Sequence, residues 1–239
     1  MLVIGLTGGI SSGKSTVSRR LGEVHKIPVI DADKLARDVV EPGEDAYKKI
    51  VQHFKENVPD LLLDNKQLNR AALGQWVFGR PDELKVLNGI THPAIRYAMF
   101  KIVFWYYVKG YGTCVLDVPL LFEANLDVFC GITVSVVCNE VLQLERLMNR
   151  NPTMSLEEAK NRINSQICIS ERIERSDYVL ENNETVDKLY AQVDTIVSFI
   201  KPTLARTIIE YFPPFGAVSA VSVVFSKKLI AAWRQKKKA

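Results

Sequence analysis

The sequence predicts an α/β fold, a doubly wound parallel sheet of about five strands with helical subdomains. Three observations carry that expectation. Short β-rich apolar runs recur between helical stretches, the first run opens directly into a glycine-rich loop, and aspartates close two of the later runs.

The first run is Leu2, Val3, Ile4 and Leu6, and it passes into Gly8 to Ser15, GGISSGKS, which satisfies G-x-x-x-x-G-K-[ST]. Glycines in that pattern let successive backbone N–H groups converge on phosphate oxygens, and a helix expected over Thr16 to Val24 adds the positive end of its dipole. Lys14 then reaches the β- and γ-phosphates and the Ser15 hydroxyl ligates Mg²⁺. Strand, loop and helix come in the order that the motif requires, which argues against a chance glycine-rich turn. The fold is accordingly of the P-loop NTPase type.

A second strand, Ile27-Pro28-Val29-Ile30, ends in Asp31-Ala32-Asp33 ahead of the helical pattern of Lys34 to Val40. Ligands of open α/β sheets bind at the carboxyl ends of strands, so this acidic pair is a candidate for work on an acceptor hydroxyl. One of the two is expected to cap the next helix, Asp31 sooner than Asp33. From Gly43 to Gly110 apolar residues fall at helical spacing, in Tyr47-Ile50-Val51-Phe54, Leu68-Ala72-Leu73-Trp76-Val77 and Ile95-Met99-Ile102-Val103. Such a block between strands reads as an acceptor-binding subdomain. Within it His92 precedes Pro93, and on spacing alone it reads as an ordinary turn residue.

Thr113 to Val118 is a third strand with Asp117 at its exit, and Ile132 to Cys138 is a fourth. Two roles stay open for Asp117: holding a Mg²⁺-bound water or the acceptor, or fixing the Pro119-Leu120-Leu121-Phe122 turn. Gln143 to Arg150 begins a helix with Arg146 and Arg150 one turn apart. A second helix, Ser155 to Ile167, is introduced by the capping box Ser155-x-x-Glu158 and carries Arg162 and Gln166. Joined by Asn151-Pro152-Thr153, the two resemble a lid whose arginines stabilise charge on a phosphoryl group in transfer while excluding water. Any one of these arginines taken alone reads as part of a solvated charged helix. Asp177 to Leu180 is a fifth strand, Asn182-Asn183 stand where an adenine contact is expected, and the helix Thr185 to Lys201 ends at Pro202.

With 239 residues, 47% hydrophobic and 24% charged, the chain suits one globular unit with inserted subdomains. The net charge of +4 belongs to the tail, because without Lys227, Lys228, Arg234, Lys236, Lys237 and Lys238 there are 25 basic against 27 acidic residues. Nucleic acid is therefore not an expected partner. Cys114, Cys130, Cys138 and Cys168 form no C-x-x-C pair and read as small core residues in a reducing compartment, with neither zinc nor disulfides. A strand beginning at residue 2 leaves no room for a secretory leader, so the catalytic part is expected to face cytosol.

Taken in order, LTGGISSGKS, VIDADKLAR, THPAIR, LDVPLLFE, QLERLMNR, EEAKNRINSQ and RSDYVLENN resemble the signature segments of dephospho-coenzyme A kinases, from Leu2 to about Lys201. The resemblance implies transfer of the ATP γ-phosphoryl group to the ribose 3′-hydroxyl of dephospho-CoA, the last step of CoA synthesis. It implies that Gly8, Gly9, Ile10, Ser11, Ser12, Gly13, Lys14, Ser15 and Thr16, with Arg150 and Asn182, hold ATP, Ser15 also ligating Mg²⁺. Lys14, Asp33 and Arg146 are the implied catalytic residues, Asp33 as base. Asp33, His92, Arg96, Asp117 and Arg162 are implied to serve the acceptor. Ser11 stands where many members carry Gly or Ala, and is expected to point outward. The implied plan is a kinase domain over 1–201, with a nucleotide core (1–33, 111–142 and 175–201), an acceptor subdomain (34–110) and a lid (143–174), followed by an extension over 202–239. Compact bacterial-type members do not need that extension.

In the extension, Ile208 to Phe225 is strongly apolar but interrupted by Glu210, Pro213, Pro214 and Gly216, which makes it borderline for a spanning helix. With Trp233 and the basic end, it reads either as a segment in contact with a membrane or as one packed on the enzyme or a partner. A cytosolic face of the outer mitochondrial membrane or endoplasmic reticulum is the expected membrane, and association with other CoA-synthesis enzymes is left open. Other functions remain for comparison. A GTPase needs Asn-Lys-x-Asp, whereas Asn65-Lys66-Gln67-Leu68 lacks the aspartate. A P-loop kinase of another small acceptor shares loop and lid, and an ATP-binding scaffold on a membrane has no use for intact Lys14, Ser15 and Asp33.

Overall fold

The computed structural model describes residues 1–200, 218, 221–230 and 232. Strands and helices alternate from the start: β1 (Leu2–Gly8), α1 (Lys14–Glu23), β2 (Val29–Asp31), α2 (Ala32–Asp38), α3 (Asp45–Phe54), α4 (Arg70–Val77) and α5 (Pro81–Val108). Then follow β3 (Thr113–Asp117), β4 (Ile132–Val137), α6 (Glu140–Arg150), α7 (Leu156–Asn164), α8 (Ile169–Arg175), β5 (Tyr178–Glu181) and α9 (Val186–Ile200).

The chain divides into two compact units, Met1–Ile30 with Tyr106–Ala239, and Asp31–Trp105. The second unit begins at Asp31, and residues 143–174 lie in the first.

In the first unit the sheet has the order β2-β3-β1-β4-β5. β1 lies parallel between β3 and β4, with Leu6 opposite both Asp117 and Val134. A central parallel strand is covered on both faces, which is why β1, β3 and β4 are near-continuous apolar runs. Ile4, Leu6, Val115, Val134 and Val136 pack with Val17 and Leu21 of α1 and with Leu189, Val193 and Val197 of α9. Arg20 and His25 both bond Asp194, tying α1 to α9. Parallel strands end together, so the loops after β1, β3, β4 and β5 converge on one edge.

The second unit is a helical core of Ala46, Ile50 and Phe54 from α3 with Leu73 and Val77 from α4, joined by Leu61 and Leu68 near an antiparallel bridge between Leu62 and Leu68. The expected turn at His92 is not there. His92-Pro93 lies inside α5, a helix of 28 residues that begins on Pro81 with Asp82 and Glu83 in its first turn. A helix supplies the φ that proline requires and loses one backbone bond to it, a defect that the many other turns absorb.

Cys114, Cys130 and Cys138 are buried and free, as small core residues should be, and burial pushes the Cys114 thiol up to about 12. Cys168 departs from that expectation: it is exposed, at the start of α8. Pro202, Trp233 and most of the run from Ile208 to Phe225 lie outside the described residues. Residues 221–230 are helical, and Lys227 Nζ donates to Asp177 Oδ2 at 2.7 Å. Among the described residues no helix is long and apolar enough to cross a membrane.

Candidate active site

The glycine-rich loop joins β1 to α1 at the carboxyl edge of the sheet. Gly13 stands at the N-cap of α1 with φ 100, and among the described residues no side chain caps that helix end. The free N–H groups of the first turn therefore remain for an anion. A Cβ on Gly13 would lie 2.2 Å from Asn182 Nδ2, so glycine is required here by both φ and space. Ser15 is exposed at the loop exit and Thr16 is half-buried behind it.

Lys14 Nζ forms a short ion pair with Asp117 Oδ1. Asp117 is the last residue of β3 and only 6% exposed, so its carboxylate is held in place by the sheet. The turn at Pro119 has another support, since its carbonyl accepts from Thr7 Oγ1 at 2.8 Å. Asp117 thus serves the phosphate-loop lysine and not that turn.

Asn182 reaches back to the same loop. Its Nδ2 donates to Ser12 O at 2.8 Å and its own carbonyl accepts from Arg146 Nη1 at 3.0 Å. A buried amide donating to the loop backbone fixes the position of the loop. Arg146 is half-buried, whereas Arg150 and Arg162 are exposed, so the arginine pair on α6 divides into one placed group and one free to solvent. Ser11 does not point outward. Its φ is 58 and its Oγ is buried with no hydrogen-bond partner among the described residues, and the positive φ explains why glycine suits the position.

Asp31 and Asp33 separate cleanly. Asp31 caps α2, its Oδ1 accepting from Asp33 N at 2.9 Å and from Lys34 N at 3.0 Å. Asp33, in the first turn of α2, is exposed, and its carboxylate has no hydrogen-bond partner among the described residues. On α5, His92 and Arg96 are exposed one turn apart, and Phe100 continues the same face at 66% exposure.

Several residues of the site carry no motif. Arg172 of α8 is 2% exposed, and its Nη1 donates to Thr7 Oγ1 at 3.1 Å while Nη2 lies 3.4 Å from Glu123 Oε1. Burial pulls the Arg172 guanidinium below its ordinary value, and the Glu123 charge opposes that pull. Gln143 is buried on α6, and Gln166, expected on the second lid helix, follows the end of α7 instead. A polar residue on the apolar stripe that includes Leu147 was the available signal for Gln143. Nothing in the sequence singles out Arg172.

A family model for dephospho-CoA kinases matches residues 2–188. The chain belongs to the dephospho-CoA kinase family. A dephospho-CoA kinase of Saccharomyces cerevisiae is 61% identical over 237 residues, covering 99% of this chain and 98% of that protein. The dephospho-CoA kinase of Oceanobacillus iheyensis is 43% identical over 196 residues, 82% of this chain and 96% of its own. A solved structure from Thermus thermophilus superposes with a TM-score of 0.71 at 29% identity, covering 84% of this chain and 98% of that one. As a dephospho-CoA kinase the chain is an enzyme, a phosphotransferase on a P-loop fold, and membership of this kinase family implies the use of ATP. The yeast alignment runs through the extension, and the bacterial one accounts for a smaller share of this chain.

Proposed function

We propose that this enzyme transfers the γ-phosphoryl group of ATP to the 3′-hydroxyl of dephospho-CoA, with Asp33 as base and Lys14 as the principal cation on the transferred group. The observation that carries the reading is the division between the two aspartates: Asp31 is spent on the helix cap and Asp33 is left exposed and unpaired among the described residues. A carboxylate without a structural partner is free to accept a proton.

In this reading the loop N–H groups and the start of α1 hold the triphosphate, and Lys14 leaves Asp117 for the β- and γ-oxygens. Ser15, exposed at the loop exit, and Asp117, once relieved of Lys14, are an oxygen donor set suited to Mg²⁺. Mg²⁺ held by these oxygens would offset the negative charge of the triphosphate. Asp33 accepts a hydrogen bond from the 3′-hydroxyl and takes its proton as the bond to phosphorus forms. A carboxylate is a weak base for an alcohol, so most of the acceleration comes from alignment and from positive charge on the phosphoryl oxygens. Arg146, Arg150 and Arg162 supply the remaining cations. His92 and Arg96 give the acceptor phosphates a positive face, and Phe100 beside them offers a ring for stacking.

The test is acceptor-dependent ADP formation from Mg·ATP with dephospho-CoA, adenosine and phosphopantetheine in parallel. Turnover with dephospho-CoA alone is expected; equal turnover with adenosine would mean that the pantetheine arm and pyrophosphate are not read.

The extension supports a further reading, contact with an anionic membrane surface on the cytosolic side. Val221, Phe225 and Leu229 are exposed at helical spacing with Lys228 on the same side. Flotation of the full chain with phosphatidylserine vesicles, lost on deletion of 202–239, is the expected result. Equal flotation of full-length and truncated chains would exclude it.

A further inference from the structure

Ile10 sits in the middle of the phosphate loop, and both of its backbone polar groups are taken by glutamine side chains. Its N–H donates to Gln166 Oε1 at 2.9 Å, and its carbonyl accepts from Gln143 Nε2 at 2.8 Å. Both partners are far away in sequence, 156 and 133 residues from Ile10. They flank α7, one on α6 and one just after α7 ends.

A trans peptide carries its N–H and C=O on opposite sides, so each of these bonds fixes one peptide plane of the loop. Gln166 fixes the plane between Gly9 and Ile10. The Gly9 carbonyl must then face the other way, and it does, accepting from Ser12 N at 3.1 Å. Gln143 fixes the plane between Ile10 and Ser11, and thereby turns the Ser11 N–H away from Gln143.

Two features accompany this geometry. Ser11 is held at φ 58, a left-handed conformation that is unfavourable for an L residue. Gly9 leaves the room that the clamp occupies, since a Cβ there would lie 2.7 Å from Gln143 Nε2. Local strain of this kind persists where surrounding groups over-determine a conformation, and functional loops are where it collects. Gln143 is only 4% exposed, so its amide is held close to the loop.

We propose that Gln143 and Gln166 are positioning residues for ATP: a clamp on Ile10 that pre-aims the Ser11 N–H and couples the loop to the segment on either side of α7. Amide dipoles stabilise phosphate charge best when they are oriented before the ligand arrives, because no reorganisation is then needed on binding. The clamp acts on ATP and leaves dephospho-CoA alone. It rests on the phosphoryl-transfer reading above.

Gln→Met conserves volume while removing the amide, so Q143M and Q166M in the full-length chain are the primary variants. The probe is a non-hydrolysable ATP analogue with Mg²⁺, titrated by calorimetry, alongside KM for each substrate and thermal melting. Loss of one aimed hydrogen bond is expected to raise the analogue Kd and the KM for ATP about tenfold, with KM for dephospho-CoA unchanged. Q143E and Q166E add the same charge at the two ends of the clamp. The Q166E carboxylate still accepts from the Ile10 N–H, whereas the Q143E carboxylate faces the Ile10 carbonyl with no proton to donate. Q143E is therefore expected to bind the analogue more weakly than Q166E.

Analogue affinity within about twofold of the parent in Q166M, whether or not the melt shifts, would overturn the clamp as a positioning device. Equal affinities of Q143E and Q166E would do the same. If Q143M fails to fold, Q166M decides alone, because residue 166 is only half-buried. A parent chain that binds the analogue but leaves dephospho-CoA unphosphorylated would sink the functional reading without touching the clamp.

Discussion

Lys14 and Asp33 make opposite demands on the same reaction, and their substitutions should separate. Lys14→Ala removes the main cation on the transferred group and is expected to weaken ATP binding and lower turnover by orders of magnitude. Asp33→Asn leaves the loop untouched, so ATP affinity should hold while transfer falls roughly 10²–10⁴-fold, the usual share of acid–base catalysis. Isothermal titration beside a steady-state assay reads both; near-normal turnover in Asp33→Asn would end its role as base. Arg172 bears on stability. Arg172→Ala leaves Glu123 facing a buried void and is expected to cost about 3 kcal/mol in urea unfolding. Lys14 and Ser15 stand out in the sequence because the motif that carries them is contiguous, although Asp117, the partner of Lys14, lies 103 residues away. Arg172 does not, nor does the bond from Asn182 to Ser12, since these partners lie 165 and 170 residues apart, at a distance that only the sheet order determines.

Elements were legible where burial imposes one pattern. The buried parallel strands stand out as apolar runs, and α7 begins with both capping-box bonds, Ser155 N to Glu158 Oε2 at 2.9 Å and Glu158 N to Ser155 Oγ at 3.2 Å. The Ser155 N–H foremost, and then the Ser155 hydroxyl, donate to the exposed Glu158 carboxyl and hold it below its usual range. Ser155→Ala should therefore destabilise the α7 turn by about 1 kcal/mol, seen as faster amide exchange over residues 155–160 with little change elsewhere. Uniform exchange in the variant would mean that tertiary packing alone holds α7. Two elements were not legible. His92-Pro93 carries a turn signature that the length of α5 overrides, and α8 is too short to display a periodicity of its own.

At the scale of the molecule, the order β2-β3-β1-β4-β5 and the unit boundary at Ile30 were not legible, because a list of strands does not say which neighbours which. The described part of the extension meets the sheet unit through Lys227 and Asp177. Burial pushes the Asp177 carboxyl up, but Lys227 together with the Thr133 N–H and hydroxyl outweighs it, and the net direction is down from the ordinary 3.8. A depressed carboxylate stabilises the fold fully above its unfolded value and loses that contribution as pH falls through the lower folded one. Detachment of helix 221–230 is expected below pH 3.8, followed by carboxyl NMR of Asp177, and Asp177→Asn should abolish the step. The account stands most directly on where the phosphate goes. Fragmentation mass spectrometry of the product from Mg·ATP and dephospho-CoA should place one new phosphoryl group on the adenosine ribose at the 3′ position, formed far more slowly with Asp33→Asn. A phosphoryl group on any other oxygen, or none while ATP remains bound, would contradict it.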